Sequence, residues 1–459
     1  MPVTVQKKSS DPRYLSAQVL LKIEEKKILL DQVLDDFSEV RQTLSAKDNA
    51  LFNALIYGVL RSRSKLDHIL DHYLNNTSFS SLSLTIQTIL RVGLYQVAYM
   101  DRIPSSAAVN TSVELAKKLN ESHATGFINA VLRKITREGI QVPLPTSSSP
   151  EYIAITASFP LWLINRWKER YGLEETRSLC DKMNEIPPIT IRVNSMRTTR
   201  TDLIQKLSRH ARNLEPTQYS PLGIRIFHLE SPIETWPEYK KGLFQVQDEA
   251  AQLIGYFFDP KKNETILDAC AGLGGKTGHM ALIVQNEATI IAADIYPNKL
   301  QQLSAEMKRL QAMCVTPKEM DFSKPLSTTY NNYFDRIFLD APCSGLGVIR
   351  RNPDTKWAFD KKDLKTFQRQ QVQFLEHIAP TLKPNGILLY AVCSMEAAEN
   401  EKVVQTFLKK QPDFDIIFDK NMLPNFLEPF IDENGFLRTY PHQHDMDGFF
   451  AVKFTKHPA

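Results

Sequence analysis

The chain has 459 residues, of which 42% are hydrophobic and 24% are charged, and its formal net charge is +4. This length predicts roughly two to four domains, and the composition is ordinary for a soluble globular protein. No apolar run approaches the roughly 18 residues that span a membrane, and Met1–Lys8 lacks the apolar core of a signal peptide. We therefore expect a cytoplasmic protein.

The charge distribution and the cysteine content exclude only a few classes of protein. Residues 1–150 hold 18 Lys and Arg against 14 Asp and Glu, which accounts for the whole net charge. So small an excess permits an RNA-facing surface, but a solvated helical surface explains it equally well. Five cysteines without a C-x-x-C pair argue against a disulfide framework or a zinc cluster and fit a reducing compartment.

The first part of the chain, residues 1–140, is predicted to be an all-α bundle. Gly and Pro are nearly absent until Pro104. Apolar residues recur at helical spacing in successive stretches around 19–34, 51–60, 82–98, 109–116 and 126–133. Helices joined by short connections form a compact bundle.

A linker and a smaller domain are predicted to follow. Residues 141–150 belong to the Pro- and Ser-rich run GIQVPLPTSSSP, which is typical of a linker. Residues 151–242 contain a strand-like run, Ile189–Asn194, among helical segments. They predict a small α+β connecting domain, which we expect to take part in RNA binding.

From residue 243 to residue 459, short apolar strands alternate with helices. This alternation predicts a doubly wound, mostly parallel, Rossmann-like sheet. The predicted strands end just before a glycine loop, at Asp294, at Asp340 and before Cys393. In such a sheet the carboxyl ends of the strands face the crevice where ligands bind.

The glycine loop, Asp268–Thr277 (DACAGLGGKT), has three interpretations. A Walker A loop would need Gly at 270, which is Cys, and a dinucleotide fingerprint from Gly272 would need Gly at 277, which is Thr. There remains a glycine turn that lets a ligand approach the backbone N–H groups at a helix start. Asp294 ends the next strand about two dozen residues later, where a carboxylate commonly holds a ribose diol, so the pattern predicts a nucleoside cofactor.

Two cysteines come directly after predicted strands. Cys343 lies in DAPCSG and Cys393 in YAVCS. A lone cysteine in such a place is usually an inert buried side chain, and we expect this of Cys180 and Cys314. Two thiols at strand ends of one sheet instead predict cysteine chemistry on a substrate.

These motifs together resemble those of the RNA (cytosine-5)-methyltransferases. The resemblance includes DACAGLGGKT, Asp294, Asp321, DAPCSG, YAVCS and the late DGFF at 447–450. The run Gly347–Trp357 is similar to the Sun/RsmB branch, which methylates bacterial 16S ribosomal RNA, and the first 140 residues resemble its NusB-type RNA-binding domain. The resemblance covers nearly the whole chain, and its paired cysteine motifs are highly specific.

The resemblance implies a binding site for S-adenosyl-L-methionine and a covalent mechanism. The residues implied at the cofactor site are Cys270, Ala271, Gly272, Leu273, Gly274, Gly275, Lys276, Asp294, Asp321 and Asp340. It implies that Cys393 attacks carbon 6 of cytosine and that Cys343 acts as base or assists product release. DNA cytosine methyltransferases use the Cys of a Pro-Cys pair, which would instead favour Cys343. Asp340 is expected either to hydrogen-bond the cytosine or to lie beside the cofactor.

Three residues after DAPCSG are candidates for RNA contact. Arg350 and Arg351 would pair with phosphates and Trp357 would stack on a base, whereas the alternative is a solvated loop with a capped helix. The chain departs from the usual family residues at Gly272-Leu273, where Ala-Pro is usual, at Val392, where Thr is usual, and at Asn352, which is often His. None of these departures removes a reacting atom.

The prediction is a monomeric rRNA methyltransferase that acts on free or early-assembly 16S ribosomal RNA, with no metal and no membrane contact. One alternative is the same chemistry on tRNA or at another rRNA site. Another is a non-catalytic RNA-binding assembly or antitermination factor, which the intact Cys343, Cys393 and Asp340 disfavour. His442 and His444 lack further ligands at metal-binding spacing.

Overall fold

The computed structural model of the chain describes residues 11–74, 77–418 and 423–458. Met1–Lys8, on which the signal-peptide prediction depends, lies outside the described residues. The chain divides into two compact units. Unit 1 comprises Met1–Glu185 and Ile349–Lys361, and unit 2 comprises Ile186–Val348 and Lys362–Ala459. The predicted boundaries at residues 140, 150 and 242 stay a prediction, because compactness alone does not show which segments fold independently.

The helices among the described residues have the following bounds: α1 (Pro12–Lys26), α2 (Leu30–Asp36), α3 (Ser38–Arg41), α4 (Ala46–Tyr73), α5 (Leu84–Tyr99), α6 (Ser105–Lys118), α7 (Thr125–Glu138), α8 (Pro150–Thr156), α9 (Leu161–Tyr171), α10 (Leu173–Asn184), α11 (Arg200–Leu207), α12 (Pro237–Lys240), α13 (Glu249–Phe258), α14 (Gly275–Ile283), α15 (Pro297–Leu310), α16 (Thr355–Ala358), α17 (Asp363–Ile378), α18 (Glu401–Lys410) and α19 (Pro441–His444).

The strands have the following bounds: β1 (Ile189–Val193), β2 (Ala211–Pro216), β3 (Gly223–Leu229), β4 (Phe244–Val246), β5 (Thr265–Ala269), β6 (Thr289–Asp294), β7 (Val315–Glu319), β8 (Phe334–Asp340), β9 (Leu382–Val392), β10 (Phe414–Ile416), β11 (Leu437–Arg438) and β12 (Phe450–Lys456).

Unit 1 is helical, as the apolar spacing predicts. Its helices begin at residues suited to capping: Asp11 accepts a hydrogen bond from the backbone N–H of Arg13 before α1, and Ser45 accepts one from Asp48 before α4. Side-chain acceptors at these positions satisfy N–H groups that have no partner within the helix. The apolar faces of α1 to α7 meet in one core, in which Phe52 is fully buried. The predicted all-α bundle is confirmed.

The segment Ile349–Lys361 follows the DAPCSG loop in sequence but is part of unit 1. The carboxylate of Asp354 accepts a hydrogen bond from the backbone N–H of Leu30 at 2.8 Å. Lys356 is fully buried, and its ammonium donates to the carbonyl oxygens of Arg61 (3.0 Å) and Ser158 (2.8 Å). A further hydrogen bond of 3.2 Å reaches the side-chain oxygen of Asn184, so three acceptors surround this one nitrogen, and burial lowers the pKa of Lys356 well below its ordinary value.

Two of the three residues predicted to contact RNA pack within this unit. Arg350 is only 3% exposed, and its carbonyl oxygen accepts a hydrogen bond from Arg61 at 2.9 Å. The indole N–H of Trp357 donates to the carbonyl of Leu60 at 2.7 Å, and the ring packs against the helical core. Both residues therefore contact other parts of unit 1, and contact of either with RNA stays a prediction. Arg351 is half-buried, and its contact with RNA stays a prediction.

Replacing Lys356 by Ala should destabilise unit 1 strongly. The substitution leaves three buried acceptors without their donor and opens a cavity against Phe159, whose ring lies 4.3 Å from the ammonium. We expect a loss of roughly 3 kcal/mol in the free energy of unfolding, measured by urea denaturation. The matched control is Lys361→Ala on the same segment, which is exposed and should change stability by less than about 0.5 kcal/mol. Equal effects of the two substitutions would contradict this assignment.

Unit 2 begins with a small antiparallel sheet. Its strand order is β2-β3-β1-β4, and β1 pairs with β3 and β4 in antiparallel register. β1 confirms the strand that the sequence predicts at this position. Helix α11 and the fully buried Trp236 cover one face of this sheet, where they share a core with Ile191 and Phe244.

The larger sheet of unit 2 has the order β10-β12-β9-β8-β5-β6-β7, with β11 paired to β12. Strands β9, β8, β5, β6 and β7 run parallel, whereas β12 and β10 are antiparallel additions at one side. The burial of β5, β6, β8 and β9 explains their apolar runs, whereas β7 at the edge of the sheet is largely exposed. The predicted Rossmann-like sheet is confirmed. Its parallel part places the carboxyl ends of β5, β6, β8 and β9 along one edge.

Candidate active site

The site residues follow strands that are direct neighbours. β5 pairs with β6 on one side and with β8 on the other, and β8 pairs with β9. The glycine loop follows β5, Asp294 ends β6, Asp340 ends β8 and Cys393 follows β9. The sequence prediction that these groups share one edge of a sheet is therefore confirmed by the topology.

The glycine loop is held in a conformation that favours small residues. Gly272 and Gly274 have φ angles of +55° and +83°, and Gly274 is the N-cap residue directly before α14. A Cβ at Gly272 would find nothing within 4 Å, so this side of the turn is open. Cys270 also has a positive φ of +63°, and burial raises the pKa of its thiol well above the ordinary value. Cys270 thus contributes backbone shape instead of a reactive sulfur.

Polar residues of the small sheet donate hydrogen bonds to the backbone of the glycine loop. The sequence did not predict these contacts. Arg192 on β1 is 3% exposed and donates to the carbonyl oxygen of Gly275 at 3.1 Å and to the side chain of Gln245 at 2.7 Å. Gln245 donates in turn to the carbonyl of Gly274 at 3.3 Å. Burial lowers the pKa of Arg192 to about 9.

The two predicted acids beside the loop have different surroundings. Asp294 is 6% exposed, and its carboxylate accepts hydrogen bonds from the backbone N–H groups of Gly272 and Tyr296, each at 3.0 Å. Asp321 is half-exposed, and hydrogen bonds from the side chain and backbone of Ser323 lower the pKa of its carboxyl. Asp294 therefore ties the glycine turn to the end of β6.

An ion pair joins the glycine loop to the end of β8. The ammonium of Lys276 lies 2.5 Å from a carboxylate oxygen of Asp340. Burial lowers the pKa of Lys276, but the Asp340 carboxylate more than offsets this, and the resulting pKa is above the ordinary value. A thiolate on Cys393 is one of the charges that raise it further. Lys276 is therefore a cation within electrostatic reach of that sulfur.

The two cysteines meet at the end of the sheet. The sulfur atoms of Cys343 and Cys393 are 3.2 Å apart. The backbone of the two loops also pairs, because the N–H of Gly347 donates to the carbonyl of Cys393 at 3.0 Å. A Cβ at Gly347 would lie 1.9 Å from the carbonyl oxygen of Gly448, so only glycine allows this approach. The late DGFF motif thus packs directly beneath the cysteine loops.

The environments of the cysteines differ in ways that bear on reactivity. The hydrogen bond that Cys343 shares with Cys393, together with burial, raises the pKa of Cys343 well above its ordinary value. Burial likewise raises the pKa of Cys180, and it raises that of Cys314 to about 11. At neutral pH, Cys343 is a thiol that hydrogen-bonds its neighbour.

One buried acid beneath the loop titrates near neutrality. Asp268 at the end of β5 is 1% exposed, and one of its oxygens accepts a hydrogen bond of 2.5 Å from the hydroxyl of Thr277. Burial raises its pKa from 3.8 to about 7. A group with a raised carboxyl pKa binds its proton more tightly in the folded state, so it lowers stability progressively as the pH rises from about 4 through about 7.

Replacing Asp268 by Asn should remove this pH dependence. Asn keeps an acceptor for Thr277 and carries no charge. Between pH 5 and pH 8, the free energy of unfolding of the variant should therefore increase relative to that of the wild type. The gain is at most about 3 kcal/mol over this window, because part of the effect of the raised pKa is already present at pH 5. Urea denaturation of both proteins at the two pH values measures it. A difference between the proteins that does not change with pH would contradict the assignment.

Comparison with known proteins places the chain in a family. The sequence profile described as "16S rRNA methyltransferase RsmB/F" matches residues 255–455, the NusB family profile matches residues 10–137, and the profile "Methyltr_RsmF/B-like, ferredoxin-like domain" matches residues 159–234. "Probable ribosomal RNA small subunit methyltransferase B" of Bacillus subtilis (strain 168) is 32% identical over 98% of this chain and 99% of its own length. The chain belongs to the ribosomal RNA small subunit methyltransferase B family.

A further relative and two solved structures are also similar to this chain. "Ribosomal RNA small subunit methyltransferase B" of Salmonella paratyphi C is 33% identical over 98% of this chain and all of its own length. The solved structure titled "Crystal Structure of PH0851" has a TM-score of 0.79 and 25% sequence identity, and covers 98% of this chain and all of that chain. A "Methyltransferase Homolog Protein from Pyrococcus Horikoshii" has a TM-score of 0.56 and 28% identity over 66% of this chain and 97% of that chain.

Two further features of the described residues concern membranes and metals. No helix in the described ranges is long and apolar enough to cross a membrane. Within the same ranges, no group of three or more His, Cys, Asp and Glu side chains is arranged to hold a metal ion. His444, one of the two histidines considered above, accepts a hydrogen bond from the backbone N–H of Tyr440 at 2.9 Å.

Proposed function

We propose that this protein methylates carbon 5 of a cytosine in 16S ribosomal RNA through a covalent bond between Cys393 and the base. The observation that carries the proposal is the meeting of two thiols, 3.2 Å apart, beside the Lys276–Asp340 ion pair at the carboxyl edge of the sheet. Membership of the methyltransferase B family supports the class of reaction and the class of RNA.

The chemistry needs a thiolate because carbon 5 of cytosine is a weak nucleophile. The sulfur of Cys393 bonds to carbon 6, which breaks the aromaticity and makes carbon 5 resemble an enamine carbon. Carbon 5 then accepts the methyl group, its proton is removed, and the carbon 6–sulfur bond breaks to return the thiolate. The products are 5-methylcytosine, the demethylated donor and one proton.

The environment of the two sulfurs supports Cys393 as nucleophile. Lys276 is a cation that stabilises negative charge on Cys393, whereas Cys343 is held as a thiol by burial and by its hydrogen bond. In the last step the Cys343 thiol gives its proton to the departing Cys393 sulfur, and the Cys343 thiolate so formed takes the proton from carbon 5. The Cys393 thiol then releases one proton to solvent and becomes a thiolate again. Cys343 therefore acts in product release.

The residues around the glycine loop fit a nucleoside methyl donor. When bound, S-adenosyl-L-methionine supplies the methyl group on a positively charged sulfonium. We propose that residues Cys270–Lys276, with Asp294, Asp321 and Asp340, hold it. Apolar side chains are exposed beside these positions: Leu273 at 55%, Ile295 at 47% and Tyr296 at 56%. An adenine ring would cover such surfaces, and Asp294 retains lone pairs for a ribose diol.

The remaining assignments also belong to the proposal. Asp340, already paired with Lys276, either binds the edge of the cytosine or lies beside the donor. The target base must leave its stack or start in a loop, because chemistry at carbons 5 and 6 requires access to the face of the ring. A monomer in the cytoplasm that acts on free or early-assembly 16S rRNA is the predicted biological setting.

Covalent trapping tests whether Cys393 attacks the base and Cys343 releases the product. Each variant is incubated with 16S rRNA and S-adenosyl-L-methionine, and protein–RNA adducts are separated by denaturing electrophoresis. Cys343→Ser should accumulate the adduct because release fails, and Cys393→Ala should form none because the attacking sulfur is gone.

The matched control for trapping is Cys314→Ala, which removes a thiol that lies elsewhere in unit 2 and should behave like the wild type. The opposite pattern, with an adduct in Cys393→Ala and none in Cys343→Ser, would overturn the assignment. Bisulfite sequencing of the treated rRNA identifies the methylated position. Methylation confined to tRNA would instead support the alternative substrate.

A further inference from the structure

A buried carboxylate connects the two cysteine loops. Glu399 is fully buried, and its oxygens accept four hydrogen bonds. One oxygen accepts from the backbone N–H of Ser344 at 2.9 Å and from the side-chain amide of Gln371 at 3.1 Å. The other accepts from the hydroxyls of Ser344 at 2.6 Å and Ser394 at 2.5 Å.

The two serines make this carboxylate a bridge between the motifs. Ser344 directly follows Cys343, and Ser394 directly follows Cys393. Their hydroxyls are 3.3 Å apart and bind the same oxygen of Glu399. The single carboxylate therefore fixes the backbone on which each sulfur is carried.

Glu399 is itself held in place by neighbours outside the loops. Its carbonyl oxygen accepts a hydrogen bond of 2.6 Å from the hydroxyl of Tyr390, a fully buried residue of β9. Gln371 of α17 is also fully buried and donates to the carbonyl of Pro342 at 3.0 Å, in addition to its bond with Glu399. Burial raises the pKa of Glu399, against donors that favour the carboxylate.

We propose that Glu399 is a positioning residue for methyl transfer, which locks the DAPCSG and YAVCS loops together so that the sulfurs of Cys343 and Cys393 stay in contact. This inference rests on the proposed function, since the contact matters only if the two sulfurs cooperate. The hydrogen bonds that the Glu399 carboxylate accepts come from Ser344, Ser394 and Gln371, so Glu399 acts on the sulfurs through the two serines. A displacement of about 1 Å in a reacting group can cost about a hundredfold in rate.

The hydrogen-bond pattern predicts which substitutions are tolerated. In Glu399→Gln the amide oxygen can accept from the two N–H donors, and the amide nitrogen can donate to the two hydroxyls, which also act as acceptors. Glu399→Ala removes all four contacts. Ser394→Ala removes only the link to the loop of the nucleophile.

Kinetic measurements on the full chain distinguish positioning from a general loss of folding. We expect kcat for methyl transfer to 16S rRNA to fall about a hundredfold in Glu399→Ala and about tenfold in Ser394→Ala, with KM for RNA nearly unchanged. Glu399→Gln should restore kcat to within about fivefold of the wild type, because it rebuilds the bridge.

The control is Ser220→Ala, which removes another buried hydroxyl of unit 2, bonded at 2.6 Å to Gln252. Its kcat should match that of the wild type. The inference is overturned if Glu399→Ala stays within about threefold of the wild type, if Ser220→Ala loses as much as Ser394→Ala, or if Glu399→Gln is as slow as Glu399→Ala.

A second measurement needs no substrate and separates the failure of this inference from that of the proposed function. Diamide accepts two hydrogens from neighbouring thiols and leaves a disulfide, so in the wild type it should join Cys343 and Cys393 rapidly, as peptide mapping would reveal. Glu399→Ala should form this disulfide at least about tenfold more slowly. Equal rates would overturn the positioning role. If the wild type transfers no methyl group to rRNA and Glu399→Ala still forms the disulfide more slowly than the wild type, the positioning role of Glu399 is retained and the proposed function is rejected.

Discussion

The pairing of β8 with β9 is the constraint on which the rest of the site depends. These parallel strands align Asp340 with Ala391, so the loops that follow leave the sheet side by side. The sulfurs of Cys343 and Cys393, fifty residues apart in sequence, are then 3.2 Å apart. A parallel pair requires a crossover connection, and here that connection contains α17, whose Gln371 donates to the carbonyl of Pro342 in the loop after β8 and to the carboxylate of Glu399. The strand pairing and the polar contacts therefore reinforce one geometry.

The electrostatics of unit 2 follow from placing several acids around one cation. Asp340 pairs with Lys276 at 2.5 Å, while Asp268 lies buried beneath the same loop. Charges in a water-poor site interact strongly, so this ion pair is a strong local contact. It links the glycine loop after β5 to the end of β8. Under the proposed function, the same side chain contacts both the donor loop and the surroundings of Cys393.

Much of this arrangement follows from local sequence patterns. Apolar periodicity predicts the helices of unit 1 and the strands of unit 2, and strand order places the glycine loop, Asp294, Asp340 and both cysteines at one edge. The pairing of the sulfurs and the role of Glu399 require tertiary contacts, which periodicity does not encode. A serine after each cysteine was the available signal, but a serine there has many ordinary explanations. Trp357 likewise has a contact that the sequence did not predict, because its indole N–H donates to the carbonyl of Leu60 and its ring packs against the core of unit 1.

The central claim is that Cys393, and not Cys343, bonds to the cytosine. The most direct measurement uses the unmutated protein and 16S rRNA in which cytosine is replaced by 5-fluorocytosine. Fluorine at carbon 5 cannot be removed as a proton, so the covalent intermediate should persist after methyl transfer. Mass spectrometry of the digested adduct should find the nucleotide on the peptide that contains Cys393. A nucleotide attached to the peptide of Cys343 would contradict the claim.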